Sequence, residues 1–246
     1  MSAKVTGSKI TRAMIMAAGL GTRMRPLTNE IPKPLVKVRG RALLDHVIDR
    51  LVAAGVTLIV VNAHYKGDQI KAHVAKRKDV EIRVSDEMDA LLDSGGGILK
   101  ALPNFEGQPF YHANADTVWV EGASHALEKL QARWNPDEMD ALMLLAPTVN
   151  TVCYDGKGDF MMDAEGRLSR VPEGHISPFV WMSMEILHPR LFDGMKPGKF
   201  SINPLWDRAI EKGRLFGMRL DGVWMHIDHP EAIKAAEEYL ADLPLA

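Results

Sequence analysis

MIMAAGLGTRMRPLTNEIPKPL, residues 14–35, is an apolar run that stops abruptly in a glycine-spaced loop. The run AMIMAA has no polar interruption, which is the pattern of a strand covered on both faces in a parallel sheet. Gly19 and Gly21 let the backbone curl tightly and leave no side chain in the way of a ligand. Successive N–H groups in such a loop can converge on an anion, so Ala17, Ala18, Gly19, Gly21 and Thr22 are nucleotide-binding candidates. Arg23 and Arg25 follow, and Lys33 stands between Pro32 and Pro34. Arginine offers a planar fork to phosphate oxygens and lysine a compact charge. Together they suit a triphosphate. The stretch is neither a GxxxxGK[ST] loop nor a GxGxxG fingerprint, since residue 24 is Met.

Outward from this loop, the first half alternates strand and helix. LLDHVIDRLVAAG has helical spacing and stops at Gly55; VTLIVVNAH, VEIRVSD, PFYHANAD and DALMLLAP read as further strands. GDQIKAHVAKR, GGGILKAL (starting after its glycines) and SHALEKLQARW read as the intervening helices. Such alternation predicts an α/β fold with a mainly parallel central sheet, helices on both faces and a ligand crevice beyond the carboxyl ends of the strands. The second half reads differently: GDFMMDAEGRLSRV as a hairpin, SPFVWMSMEIL as a strand, NPLWDRAIEKG and HPEAIKAAEEYLADL as amphipathic helices. No repeat or linker separates the halves, so residues 1–246 are expected to form one domain, with residues 1–11 disordered.

The 246 residues are 46% hydrophobic and carry a net charge of -2, which argues against bulk attraction to nucleic acid or membrane. Cys153 is the one cysteine, so no internal disulfide can form. The start MSAKVTGSKITR lacks the apolar stretch of a secretory signal, and no run nears the roughly 20 apolar residues of a membrane span. A cytoplasmic protein, monomer or homodimer, is expected.

AAGLGTRMRPLTNEIPKPL closely resembles the signature of the sugar-1-phosphate nucleotidylyltransferases, GxGTRxRPLT followed by PKP, and the likeness extends from Arg12 to the C-terminus. The resemblance implies a Rossmann-like nucleotidyltransferase fold with a small sugar-binding β extension. Residues 12–148 would be the nucleotide-binding half and 149–246 the sugar-binding half. It also implies direct, Mg²⁺-dependent, in-line transfer of a nucleotidyl group from a nucleoside triphosphate to a sugar 1-phosphate, releasing pyrophosphate. By residue match, Arg23 stabilises the leaving pyrophosphate, Lys33 holds phosphates and Asp116 binds Mg²⁺. SGGGI, N…GDF and a late GRLFG are similar to the short N-acetylmuramate-1-phosphate uridylyltransferases of cell-wall recycling, which implies UTP as donor. Mannose-1-phosphate guanylyltransferases, phosphocholine cytidylyltransferases and a catalytically inactive nucleotide or sugar-phosphate binder are the alternatives.

Asn114 and Asp116 close a strand at the crevice, where Asp116 is either a metal ligand or a turn former. Asn62 and His64 end another strand. Gly95 and Gly96 suit a base or ribose lying against backbone, with Asp93 and Ser94 beside them as readers of its edge. Asn150 and Asp159 match the stretch close to the sugar in the family. Phe179 and Trp181 are candidates for stacking on a sugar, although aromatics in strands are more often core. Where relatives carry Thr-Gly or Ala-Gly, this chain has Met182 and Ser183. The chief departure is late: relatives read WxDVGTP, this chain WMHIDHP, with His226 in place of the second metal Asp. Three readings stay open: His226 ligates the metal, although imidazole suits softer ions; Asp228, two residues on, reaches in; or Asp116, phosphates and water suffice.

Overall fold

The apolar run forms β1 (Arg12–Met16) at the centre of the main sheet in the computed structural model, which describes residues 9–242. A short ribbon of β2 (Lys37–Val38) and β3 (Arg41–Ala42) follows the loop, then α1 (Leu43–Ala53), β4 (Leu58–Ala63), α2 (Gly67–Val74) and β5 (Glu81–Asp86). The first half continues with α3 (Asp93–Ala101), β6 (Phe110–Asn114), β7 (Thr117–Glu121), α4 (Ala126–Arg133) and β8 (Ala141–Pro147). The second half supplies β9 (Thr151–Val152), β10 (Phe160–Met162), β11 (Leu168–Arg170), β12 (Phe179–Leu187) and α5 (Asn203–Glu211). It ends with β13 (Leu215–Arg219), β14 (Gly222–His226) and α6 (Pro230–Ala241).

The main sheet runs β11-β10-β12-β6-β1-β4-β5, with β8 beside β12 and β13 beyond β8. β1, β4, β5 and β6 are parallel neighbours. β12 lies antiparallel between β6 and β8, so β8 and its parallel partner β13 point the same way as β1. The sheet is thus mainly parallel in direction, and β12 from the second half is built into it.

Both faces are covered. Met14 and Ile15 are each fully buried in opposite cores, and Ile59 and Val60 divide in the same way. Ile15 packs with Leu44, Ile48 and Leu51 of α1; Met14 packs with Ile98 of α3 and Leu205 of α5. A third core joins Met24, Leu43, Met225 and Ala236, fastening the loop after β1 to α6. These burials explain why β1 alternates between two apolar environments and reads as one continuous run.

A second sheet, β7-β14-β9, stands beside the carboxyl ends of the main strands. The strands β7, β9, β13 and β14, and the β2–β3 ribbon, were not among those expected from the sequence. The expected disorder of residues 1–11 lies mostly outside the described residues. Ile10, however, is buried, and its N–H donates to Gln131 Oε1 at 2.9 Å, so the chain is tied down before Arg12. No helix among the described residues is long and apolar enough to cross a membrane.

Candidate active site

The loop after β1 forms one wall of a cleft of about 420 Å³ at the carboxyl ends of β1, β4 and β6. Ala17, Ala18, Gly19, Gly21, Lys33, Asn62, Asp93, Ser94, Asn114 and Asp116, all expected from the sequence, line it. Gly21 has φ 61°, and a Cβ there would come within 3.0 Å of Lys33 Cβ and Thr28 Cγ2. Its carbonyl accepts from Thr28 Oγ1 at 2.8 Å, which draws the start of the loop towards the Pro-Lys-Pro segment. The glycine is therefore required both for its left-handed conformation and for close packing.

Two corrections concern this loop. Ala17 N–H donates to the fully buried Asn62 Oδ1 at 2.6 Å and so is not free for a phosphate. Asn62 in turn donates to Glu87 Oε1 at 2.8 Å, so it clamps the loop to a buried carboxylate while also edging the cleft. Thr22 is exposed at the start of a 3₁₀ turn and does not line the cleft. His64, expected at the crevice edge, faces away into a 2.7 Å contact between Nδ1 and the Glu87 carbonyl.

Charge gathers where the two sheets meet. Lys33 is ion-paired with Asp116, and Arg23 with Asp228. Thr117, the residue after Asp116, lies opposite His226 in the β7–β14 ladder, which brings Asp116, His226 and Asp228 together although they are far apart in sequence. Asp228 also accepts from His229 Nδ1 at 2.7 Å. Burial alone would raise the Asp228 pKa, but the His229 hydrogen bond and the nearby His226 and Arg23 charges hold it below the ordinary value. Burial lowers the His226 pKa, against the pull of Asp228 and Asp116.

Gly95 and Gly96, expected to lie against a base or ribose, pack against protein and do not line the cleft. Instead of preceding the helix, Gly95, Gly96 and Gly97 lie within the first turns of α3, and all three are buried. A Cβ on Gly95 would meet the Phe200 ring at 2.3 Å, and one on Gly96 would meet the Gly198 carbonyl at 2.1 Å. Gly96 N–H donates to Phe200 O at 3.1 Å, and Ser94 Oγ accepts from Ile202 N–H at 3.0 Å. The glycines thus let the segment around 198–202 lie flat on α3. This docking brings Lys199 into the cleft, a cation that no motif signalled. Asp93 begins α3 at φ 62° and accepts from Ser94 N–H at 2.6 Å.

A second cleft of about 280 Å³ shares Ser94 and Asn114 with the first. Asp159 and Trp181, both expected, line it together with Phe160, Arg170, Asn203 and Trp206. The Trp181 and Trp206 rings meet edge to face at 4.8 Å. Asp159 accepts from Trp181 N–H at 2.9 Å, and burial raises its pKa against that bond and the Arg170 charge. Two expected sugar contacts fall elsewhere. Phe179 packs against the core, and Asn150 is exposed and donates to Gly222 O at 2.6 Å.

Between the clefts, β12 breaks register with β8 between Trp181 and Glu185. Ser183 in this bulge has φ 61°, and its hydroxyl accepts from Asn114 Nδ2 at 3.0 Å. The left-handed conformation is one that glycine takes without strain, which accounts physically for the glycine in the related motif. Thr117 Oγ1 donates to Met182 O at 2.5 Å and accepts from Trp224 Nε1 at 3.1 Å, pinning the bulge to the second sheet.

Residues 12–133 match the family model described as Nucleotidyl transferase. The N-acetylmuramate alpha-1-phosphate uridylyltransferase of Caulobacter vibrioides is 43% identical over 234 residues, covering 94% of this chain and 97% of that protein. The chain belongs to the nucleotidyl transferase family. The Neisseria meningitidis protein of the same name is 31% identical, covering 92% of this chain and 96% of its own. A UDP-glucose pyrophosphorylase solved with UDP-glucose shares the fold at a TM-score of 0.76 and 17% identity, covering 95% of this chain and all of its own. This nucleotidyltransferase is therefore an enzyme of the class that transfers a nucleotidyl group to a sugar 1-phosphate, and such enzymes generally use a divalent metal.

Proposed function

We propose that this nucleotidyltransferase transfers a uridylyl group from UTP to N-acetylmuramate 1-phosphate, giving UDP-N-acetylmuramate and pyrophosphate for reuse in the cell wall. The observation that carries this reading is the 43% identity to a uridylyltransferase of that name along nearly the whole of both chains. The first cleft takes the nucleotide and the second the sugar. Residues 12–148 contribute most of the nucleotide side and 149–246 most of the sugar side.

The acceptor phosphate oxygen attacks the α-phosphorus in line, and pyrophosphate departs. That oxygen is already anionic, so no general base is needed; the protein's task is to position two anions and offset their repulsion. Lys33 and Arg23 supply positive charge beside the glycine loop, and Lys199 adds a third cation across the cleft. Gly19 and Gly21 keep side chains away from the phosphates.

The donor chemistry at the junction fits Mg²⁺, which favours one or two carboxylates together with substrate phosphates and water. Asp116 and Asp228 are those carboxylates, with His226 the less suitable alternative. No group of three or more His, Cys, Asp or Glu residues arranged to hold a metal occurs among the described residues, so substrate oxygens would complete the shell. When bound, Mg²⁺ would neutralise charge developing on the phosphates. Lys33 and Arg23 hold the two carboxylates in place meanwhile.

The test is pyrophosphate release with Mg²⁺, crossing UTP, GTP, CTP and dTTP with N-acetylmuramate 1-phosphate, mannose 1-phosphate, glucose 1-phosphate and phosphocholine. UTP with N-acetylmuramate 1-phosphate should be the strongest pair. GTP with mannose 1-phosphate as the strongest pair would overturn the reading. A UTP-induced rise in melting temperature without turnover of any pair would instead mark a binding protein.

A further inference from the structure

N-acetylmuramate differs from N-acetylglucosamine by a lactyl ether that ends in a carboxylate. An enzyme that selects this acceptor needs a cation away from the phosphates. The second cleft has a single basic residue in its lining, Arg170 at the end of β11. Arg170 does not line the first cleft, so its charge is not placed to serve the triphosphate.

The side chain is held ready. Its Nε donates to Asp207 Oδ1 at 2.7 Å and its NH2 to Asn203 Oδ1 at 2.9 Å. The guanidinium carbon lies over Phe160 at 4.8 Å and over Trp206 at 6.0 Å from the ring centres. These contacts fix the plane of the fork. The remaining nitrogen, NH1, makes no hydrogen bond or ion pair among the described residues. The Arg170–Asp207 pair is half-exposed, and a pair of that kind contributes little by itself, so Asp207 can share the cation with a second acceptor at NH1. Asp159, the carboxylate of the same cleft, is engaged by Trp181 N–H, and its charged form is disfavoured by burial. Its other oxygen suits a sugar hydroxyl.

We propose that Arg170 reads the carboxylate of the lactyl substituent on the acceptor sugar and thereby sets acceptor choice. This rests on the acceptor being N-acetylmuramate 1-phosphate. Arginine suits the role because its planar fork, fixed at Nε and NH2, offers a carboxylate a preset direction. Mannose 1-phosphate and glucose 1-phosphate carry no group that needs this cation.

The experiment compares the wild type, Arg170→Lys and Arg170→Gln with saturating UTP and two acceptors, N-acetylmuramate 1-phosphate and N-acetylglucosamine 1-phosphate. Melting temperatures check that each variant folds. Arg170→Gln should raise KM for N-acetylmuramate 1-phosphate about 10- to 100-fold, the range of a lost charge-assisted hydrogen bond. Its kcat should change far less. The preference for this acceptor over N-acetylglucosamine 1-phosphate should collapse by a similar factor, and Arg170→Lys should restore part of it. Equal losses for both acceptors in both variants would overturn the role of Arg170 while leaving the proposed reaction standing. A wild type that fails with N-acetylmuramate 1-phosphate but turns over a different pair would overturn the reaction, and the inference with it.

Discussion

Arg23 is ion-paired with Asp228 across a separation of 205 residues. The pair joins the glycine loop to the turn before α6 and presents a carboxylate at the site where the two sheets meet. Asp228 is only 12% exposed at its side chain, whereas the paired Arg23 is 71% exposed and borders solvent at the site. Asp228→Asn should lower kcat/KM by about 100-fold and raise the Mg²⁺ concentration needed for half-maximal rate, as expected for a lost electrostatic contact at the reacting phosphates. His226→Asn should cost less than about tenfold and leave the Mg²⁺ requirement in place. Mg²⁺ titrations of initial rate check both; the reverse order of effects would make His226 the ligand.

Gly96→Ala should destabilise the fold by about 1–3 kcal/mol, the usual cost of forcing a methyl into a packed interior. The obstacle is the Gly198 carbonyl, 2.1 Å from the added Cβ, and backbone cannot rotate away as a side chain can. Because that segment carries Lys199, KM should rise along with the loss of melting temperature. Gly40→Ala is no control for packing alone, since its φ of 74° adds strain in open space; Gly19→Ala, with nothing within 4 Å, is the better comparison for stability.

Lys199→Ala should raise KM for at least one of the two substrates about tenfold, without lowering the melting temperature. A single charge-assisted contact supplies an effect of that size. Initial rates with each substrate varied in turn show whether the lysine serves the nucleotide or the acceptor.

Asp159 gives a pH-dependent prediction. Burial raises its folded pKa above the ordinary carboxylate value. A carboxyl with a raised folded pKa stabilises the fold fully below the unfolded value, and that contribution is lost as pH rises through the folded value. Asp159→Asn should therefore raise the melting temperature at neutral pH and have little effect in acid below the ordinary carboxylate range. Wild-type KM for the acceptor should climb as pH falls towards the folded pKa, and the variant should flatten that limb. Thermal melts and acceptor titrations over the same pH series check the two halves.

Much of this arrangement was legible because it is local. The apolar run at Met14 and Ile15, the glycines that end it and the Pro-Lys-Pro are contiguous, and their chemistry is set by neighbours in the chain. Asp116 was legible because the end of a central strand faces the crevice. Arg170 was not, since a hairpin and a helix bring it beside Trp206 only after β12 has entered the main sheet. Lys199 depends on the same kind of docking, through the buried helical glycines. Those glycines did not announce the docking, because a run of three reads equally well as a ligand platform and as a close helix contact. β13 was hidden by Gly217, where a Cβ would strike Leu145 at 2.6 Å and Leu168 at 2.7 Å, so a residue that weakens strand propensity is required by packing. Asn62 was placed correctly at the cleft, yet its main bonds hold Ala17 and Glu87, which no strand pattern encodes.

The proposed uridylyl transfer to N-acetylmuramate 1-phosphate turns on Asp116, held by Lys33 just after β6. The most direct test is the initial rate of UDP-N-acetylmuramate formation, identified by mass, from UTP, Mg²⁺ and that acceptor, in the wild type and in Asp116→Ala. The wild type should give steady product, and the variant should lose at least about 1,000-fold, at the upper end of what one electrostatic contact to a transition state supplies, with the melting temperature preserved. A variant that still formed the product at a rate close to that of the wild type would contradict that role of Asp116.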